Sequence, residues 1–130
     1  MIEISVSTGR RTELVDITTE ISKAVRQAGA ENALCTIFVP HTTAAVTINE
    51  NADPDVIKDI IRTLDKLIPL NDHYRHLEGN AAAHVKSSLL GASQTVFIEN
   101  GDLVLGTWQS IFFCEFDGPR TRKVFIKLEA

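Results

Sequence analysis

The sequence predicts an α+β domain, an antiparallel β-sandwich with three inserted helices. Segments of β-branched and aromatic residues, separated by turn residues, outnumber the segments with helical periodicity. The helical segments also occur singly among the strands, a pattern that favours antiparallel sheet over a doubly wound parallel sheet. We expect residues 1–130 to form one domain, because a chain of this length buries a single continuous core.

The N-terminal quarter of the chain predicts two strands and a helix. Apolar residues alternate over residues 2–6, and a polar turn leads into a second apolar segment at residues 13–17, which predicts a β-hairpin. Thr18 or Thr19 is expected to cap the first helix, whose apolar positions recur at helical spacing until Gly29.

Two further strands and a second helix are predicted in the middle of the chain. Residues 33–39 and 44–48 are rich in β-branched side chains and flank a polar break that contains a histidine. Pro54 is favourable in the first turn of a helix, and Asp53 before it is a suitable N-cap. This helix is expected to end near Leu67.

The second half of the chain is expected to be mostly antiparallel sheet. Residues 80–90 favour a third helix that closes at Gly91. Further strands are predicted at residues 95–98, 103–105, 110–116 and 121–128. The last two flank a turn at residues 117–119 and are expected to form a second β-hairpin.

Composition and charge exclude several classes of protein. Hydrophobic residues make up 44% of the chain and charged residues 23%, which is ordinary for a globular domain. The net charge is −4 and basic residues are scattered, so we expect no nucleic-acid partner. The start of the chain lacks the order of a secretory signal, and no apolar segment approaches membrane-spanning length, so we expect a cytoplasmic protein without a membrane partner. Cys35 and Cys114 lie in apolar segments and are expected to be buried free thiols.

Three histidines lie in two polar segments and are the first candidates for a functional site. His84 is one helical turn beyond Asn80, and His76 precedes that helix. A divalent metal bound by His41, His76 and His84 would keep a fourth position for water or substrate, as in catalytic zinc sites. The alternative is that these are hydrogen-bonded loop and helix-cap histidines. Thr43 is two residues from His41 on one strand face and could pair with it as nucleophile and base.

An acidic segment precedes the second helix. Glu50, Asp53 and Asp55 supply enough carboxylate oxygen to hold magnesium or to orient a base. Asp53 and Asp55 are also typical of an ordinary helix N-terminus, whereas Glu50 precedes the cap and has less local reason to be acidic.

Two later segments carry further candidates. Trp108 and Gln109 could stack on and hydrogen-bond a planar heterocycle, although a lone tryptophan is more often part of a core. Arg120 could clamp a phosphate group while Glu115 or Asp117 contacts a metal or a proton. The alternative is a charged turn with a local ion pair.

Five motifs together resemble those of the YjbQ-like family, also labelled the secondary thiamine-phosphate synthase family. They occur in order and cover nearly the whole chain: Pro40–Ala44, Asn49–Asp55, His76–His84, Asn100–Gln109 and Glu115–Arg120.

The resemblance implies a β-sandwich subunit that assembles into a homotrimer, with polar motifs near the subunit contacts. It also implies a weak activity that joins a pyrimidine diphosphate to a thiazole phosphate. The positions that match the polar motifs of the family are His41, Glu50, Asp53, His76, Asn80, His84, Trp108, Gln109, Glu115, Asp117 and Arg120.

Two classes of function follow from these residues. In the first, the chain is a transferase in which Arg120 and Lys86 hold diphosphate, a divalent ion neutralises the leaving group, and Trp108 stacks on the heterocycle. Zinc is favoured as the ion and magnesium is the alternative. A related variant is a metal-dependent hydrolase of a phosphate or acyl substrate with Glu50 or Glu115 as base. In the second class, the chain is a non-catalytic metal- or ligand-binding trimer.

These hypotheses assign the candidate residues to three sets. The metal ligands are His41, His76 and His84; the catalytic set is Glu50, Glu115, Asp117 and Arg120; the substrate-binding set is Thr43, Asn80, Lys86, Trp108 and Gln109.

Overall fold

The computed structural model describes all residues from Met1 to Ala130 and confirms the α+β class with three helices. The strands are β1 (Ile2–Ser7), β2 (Glu13–Asp16), β3 (Ala33–Phe38), β4 (Ala44–Glu50), β5 (Ser93–Glu99), β6 (Asp102–Leu103), β7 (Gln109–Glu115) and β8 (Thr121–Glu129). The helices are α1 (Thr18–Gln27), α2 (Pro54–Leu67) and α3 (Ala81–Leu90). None of the helices combines the length and the apolar character needed to cross a bilayer.

The strands form two antiparallel sheets that pack face to face. The five-stranded sheet has the order β1-β8-β3-β5-β6, and the three-stranded sheet has the order β2-β7-β4. Between them lies the main core, where Ile37 and Ile126 of the larger sheet meet Val46 and Phe113 of the smaller one. The predicted antiparallel sandwich is therefore confirmed, and α1 adds side chains such as Val25 to the same core.

A second apolar layer covers the outer face of the three-stranded sheet. Leu64 of α2 and Ala83 of α3 pack there against Phe112 and Cys114 of β7. Side chains alternate between the two faces of a strand, which is why β7 contributes to both apolar layers. Both helices thus lie on one side of the sandwich.

The predicted hairpins at residues 2–17 and 110–128 are both wrong. β1 pairs with β8 and β2 pairs with β7, so each supposed hairpin has its strands in different sheets. The two connections run side by side instead, with the Thr8 N–H donating to the Arg120 carbonyl (3.0 Å) and the Gly118 N–H donating to the Arg11 carbonyl (3.0 Å). The alternation of apolar residues predicts which side chains of a strand point inward, but it does not predict which strand pairs with it.

The helix caps were predicted correctly in one of two cases. Asp53 caps α2, since its Oδ1 accepts a 2.9 Å hydrogen bond from the Asp55 N–H. The prediction of a threonine cap for α1 is wrong. Ile17 occupies that position without a side-chain bond, because the Thr18 hydroxyl accepts instead from the Ile111 N–H at 2.8 Å.

Three smaller predictions have clear outcomes. Helix α3 ends at Gly91 as expected, where φ is +96°, a left-handed conformation that favours glycine. The strand predicted at residues 103–105 is wrong beyond Leu103. Cys35 and Cys114 are buried and free, and burial raises the pKa of their thiols to about 11 and about 12, respectively.

Candidate functional site

The pairing of β4 with β7 places the candidate residues at two ends of the subunit. Glu115 lies opposite Ala44, whereas Gln109 lies opposite Glu50. Six residue steps of about 3.4 Å separate these pairs, so the ends are roughly 20 Å apart. We call them the histidine end, with His41, Thr43, His76, Asn80, His84, Glu115, Asp117 and Arg120, and the tryptophan end, with Glu50, Trp108 and Gln109.

The three histidines approach one another around α3. His41 and His84 line one cavity of about 350 Å³, which we call the histidine pocket. The ring of His76 contacts that of His84 edge-on, with 5.2 Å between the ring centroids. The hydroxyls of Ser87 and Ser88, which also line the pocket, donate to helix carbonyls. His84 therefore lies between the other two imidazoles.

His41 is held in one tautomer by the main chain. Its Nε2 accepts a 2.9 Å hydrogen bond from the Lys123 N–H. The proton of the neutral ring is therefore on Nδ1, which leaves no free lone pair for a metal. Burial and the charge of Arg122 both lower the pKa of His41.

A three-histidine metal site is not assembled within the single chain. No group of three or more histidine, cysteine or acidic side chains has an arrangement that could hold a metal ion. His76 and His84 are close enough to act together, whereas His41 would first have to release Lys123. His76 and His84 are thus the two predicted ligands that lie in contact, and the metal site itself stays a prediction.

A fully buried ion pair anchors the histidine end. Glu115 is 0% exposed and Arg122 is 2% exposed. The guanidinium donates to both carboxylate oxygens, at 2.9 and 2.5 Å, and the Thr8 hydroxyl and the Asp117 N–H donate as well. Burial alone would raise the pKa of Glu115, but the hydrogen bonds from Arg122, Asp117 and Thr8 outweigh it and lower the pKa.

This ion pair indicates a structural role for Glu115. Both of its oxygens are occupied and it has no access to solvent, so it fits a residue that positions others better than the predicted catalytic base. Arg122 was missed by the sequence analysis. A usable signal was present, because Arg122 alternates with Val124 and Ile126 and therefore points inward with them.

Thr43 belongs to the same network. An Arg122 Nη atom donates to the Thr43 hydroxyl at 2.8 Å and to its carbonyl at 3.3 Å. Thr43 is buried, so its hydroxyl supports the arginine and does not pair with His41.

Asp117 connects the start of α3 to Arg120. Its Oδ2 accepts hydrogen bonds from the Asn80 side-chain amide at 2.9 Å and from the Arg120 guanidinium at 3.2 Å. The Arg120 side chain is 49% exposed and is also held by the Asp117 carbonyl. The local ion pair foreseen as the alternative is present, and the arginine side chain remains half exposed. The Oδ1 of Asn80 is buried and has no hydrogen-bond partner.

Lys86 lies in a different cavity from the three histidines. This cavity, of about 320 Å³, is called here the lysine cavity, and Lys86 pairs in it with Asp65 at 2.5 Å. Arg120 does not line it. The geometry of the single chain therefore does not favour joint binding of one diphosphate by Arg120 and Lys86.

The tryptophan end has an exposed aromatic surface. Trp108 is 63% exposed, so the core alternative for this residue is wrong. Its carbonyl accepts from the Asn51 N–H at 3.1 Å, and Gln109 Oε1 accepts from the Gly106 N–H at 2.7 Å. Glu50 is partly buried beside Gln109.

The family "UPF0047 protein YjbQ-like" matches residues 2–130 of this chain. The chain belongs to the YjbQ-like family. Among YjbQ-like relatives, the UPF0047 protein YugU of Bacillus subtilis is 53% identical over 96% of both chains. A UPF0047 protein of Methanocaldococcus jannaschii is 52% identical over 98% of this chain and 93% of its own.

Crystal structures of other YjbQ-like proteins agree with this fold. A conserved protein of the family from Clostridium acetobutylicum superposes with a TM-score of 0.96 at 54% identity, covering 98% of this chain and 99% of that one. A protein from Sulfolobus solfataricus superposes with a TM-score of 0.93 at 38% identity, covering 98% and 94%.

Proposed function

We propose that this YjbQ-like chain is the subunit of an enzyme that acts on a small phosphorylated heterocycle. The first candidate reaction is transfer of the thiamine-phosphate synthase type, between a pyrimidine diphosphate and a thiazole phosphate. The observation that carries the proposal is the convergence of three imidazoles on one end of the subunit, beside a half-exposed arginine that Asp117 holds in place.

The residues of the histidine end have complementary tasks in such a transfer. When the diphosphate departs with the electron pair of its C–O bond, negative charge increases on its oxygens. Arg120 offers a planar fork of donors for this group, and Asp117 fixes the orientation of that fork. The Nδ1–H of His41 is a second donor, because Lys123 occupies Nε2. Donors fixed in advance stabilise the transition state without reorganising.

We propose zinc as the metal of this site, with His76 and His84 as its ligands in this chain. Imidazole nitrogen suits zinc, whereas magnesium prefers carboxylate and water oxygen. When bound, zinc would supply Lewis-acid stabilisation of the departing oxygens. The remaining coordination positions are open to water, to substrate or to a residue of a neighbouring subunit.

We also propose that the active assembly is the homotrimer. The outer face of the five-stranded sheet is uncovered and carries the exposed side chains Leu34, Phe38 and Phe97. Exposed apolar side chains grouped on one face are typical of a protein–protein interface. Trp108 lies roughly 20 Å from the histidine end of its own chain, so assembly is the route by which it could reach a substrate there. Free Cys35 and Cys114 fit a cytoplasmic enzyme.

A hydrolase finds less support in the same geometry. Glu115 is fully engaged by Arg122, and Glu50 lies at the opposite end of the subunit. Neither glutamate predicted as the base is therefore available at the histidine end, where the remaining glutamate, Glu78, is 74% exposed and lies 3.8 Å from His76.

The test combines metal analysis with turnover of the two phosphorylated substrates. We expect His84→Ala to lose zinc from the purified protein and to lower kcat/KM about 100-fold, because it removes a proposed ligand. His73→Asn changes an exposed histidine in the loop before α3 and should leave both quantities unchanged. Full turnover by metal-free protein would contradict the zinc proposal. Zinc retained without turnover of either substrate would leave a metal-binding trimer as the better account.

A further inference from the structure

The lysine cavity contains the only buried lysine of the chain, and the proposed reaction does not use it. Lys86 is 5% exposed and lies between α3 and the C-terminal part of α2. The volume of about 320 Å³ is within the range of sites for small molecules.

The ammonium group of Lys86 has more donors than the chain has acceptors for it. An ammonium carries three N–H donors, and Lys86 makes one hydrogen bond, to Asp65 Oδ1. Its Nζ also lies 5.8 Å from the ring centroid of Phe116, which is a favourable cation–π contact. The phenyl ring has no oxygen or nitrogen atom that could accept a hydrogen bond. Two donors therefore remain for a ligand with oxygen acceptors.

Asn80 supplies the complementary group. It lines the same cavity, and its Oδ1 is buried without a partner. The amide cannot simply turn over, because its NH₂ donates to Asp117 at 2.9 Å. A buried acceptor without a donor is unfavourable, and a ligand N–H or O–H would satisfy it.

The charges that line the cavity favour a ligand with one negative charge. Arg11 lines the cavity and takes part in none of the ion pairs of the chain. Lys86 and Arg11 contribute two positive charges and Asp65 one negative charge, which leaves a net charge of +1. The two negative charges of a phosphate dianion would exceed the net positive charge of the cavity, whereas the single negative charge of a carboxylate balances it.

We propose that the lysine cavity binds a small monocarboxylate that also carries a hydroxyl or amino group. Its carboxylate lies between Lys86 and Arg11, its O–H or N–H donates to Asn80 Oδ1, and its apolar body packs on Leu70 and Phe116. The charges and the cavity differ from those of the histidine pocket, so this proposal does not rest on the proposed transferase function. Asn80 is the one residue that connects the two sites, because its NH₂ also donates to Asp117.

The probe for this proposal is 4-hydroxybenzoate, titrated into the full-length protein by isothermal calorimetry and by ligand-observed NMR. Lys86→Met preserves side-chain length and should weaken binding about 30-fold or more. Because Lys86 is buried, two variants at exposed positions separate binding from folding. Arg11→Gln should weaken binding several-fold, and Asp65→Asn should strengthen it several-fold by removing the competing carboxylate. Lys58→Met, on the exposed side of α2, is the matched control and should bind like the wild type.

A purely structural Lys86–Asp65 pair gives a different pattern. It predicts no binding of 4-hydroxybenzoate, or equal affinity in wild type, Arg11→Gln and Asp65→Asn, and either result would overturn the proposal. Tighter binding of inorganic phosphate than of 4-hydroxybenzoate would overturn the assignment to a monocarboxylate. His84→Ala should leave this binding intact, so failure of the transferase proposal and failure of this one are distinguishable.

Discussion

At the scale of single residues, the role of Glu115 depends on its partners and not on its type. A glutamate in the same polar motif as an aspartate and an arginine is a natural candidate for a general base. In the fold it is completely buried and receives hydrogen bonds from Arg122, Thr8 and the Asp117 N–H. Removal of one member of a buried pair leaves the other charge uncompensated, which is far more costly than the pair is favourable.

Glu115→Gln should therefore lower the free energy of unfolding at pH 7 by about 3–5 kcal/mol. The pKa of Glu115 is lowered by folding, so its stabilising effect is complete above the unfolded-state pKa of about 4.3 and is lost as the pH falls through the lower folded-state value. Urea unfolding from pH 7 down to pH 3 should show the difference between wild type and variant shrinking below pH 4.5.

The control for this series is Glu31→Gln, at an exposed loop position. We expect it to change stability by less than about 0.5 kcal/mol at every pH. A difference between wild type and Glu115→Gln that stays constant from pH 7 to pH 3 would contradict the assigned role.

At the scale of elements, α2 depends on its cap more than α1 does. Asp53 satisfies the Asp55 N–H, whereas no side chain caps α1. Asp53→Ala should lower the free energy of unfolding by about 1 kcal/mol, because it leaves a helix donor without its acceptor.

The measurement is the midpoint of urea unfolding at constant m-value. Asp59→Ala, on an exposed turn of the same helix, is the comparison and should change stability by less than about 0.5 kcal/mol. Equal losses of unfolding free energy in the two variants would mean that the negative charge on α2, and not the cap, stabilises the helix.

The elements also show what the sequence could and could not predict. Helix positions and most strands follow from local periodicity, and the Asp53 cap follows from residues two apart. The cap of α1 failed because the Thr18 hydroxyl bonds to Ile111, 93 residues away. The hairpins failed for the same reason, since partner choice depends on packing between the two sheets and not on the turn.

The candidate site was also predictable only where it depends on local sequence. Motifs identified the polar residues, and the contact between His76 and His84 is of the kind that a loop just before a helix makes when it folds back toward that helix. The separation into two ends follows from the register of β4 on β7, which no local pattern encodes. The tautomer of His41 depends on Lys123, 82 residues away, so its poor fit as a metal ligand emerges only in three dimensions.

At the scale of the whole molecule, the uncovered sheet face and the divided site have a common explanation in the proposed trimer. The helices α2 and α3 cover one side of the sandwich, while Phe97 and Leu34, paired across β5 and β3, are exposed on the other. If assembly buries this face, a single charge there should dissociate the subunits. Phe97→Glu should therefore change the mass in solution, measured by light scattering after size exclusion, from three subunits to one.

Leu67→Glu is the matched control for this prediction. Leu67 is 68% exposed against 61% for Phe97, but it lies on α2, on the side of the sandwich away from the five-stranded sheet. It should leave the mass at three subunits. Turnover should fall together with dissociation in Phe97→Glu, because a monomer keeps Trp108 roughly 20 Å from its own histidine end. A Phe97→Glu protein that remains trimeric, or a monomer that retains full turnover, would contradict assembly through this face as the means of completing the site.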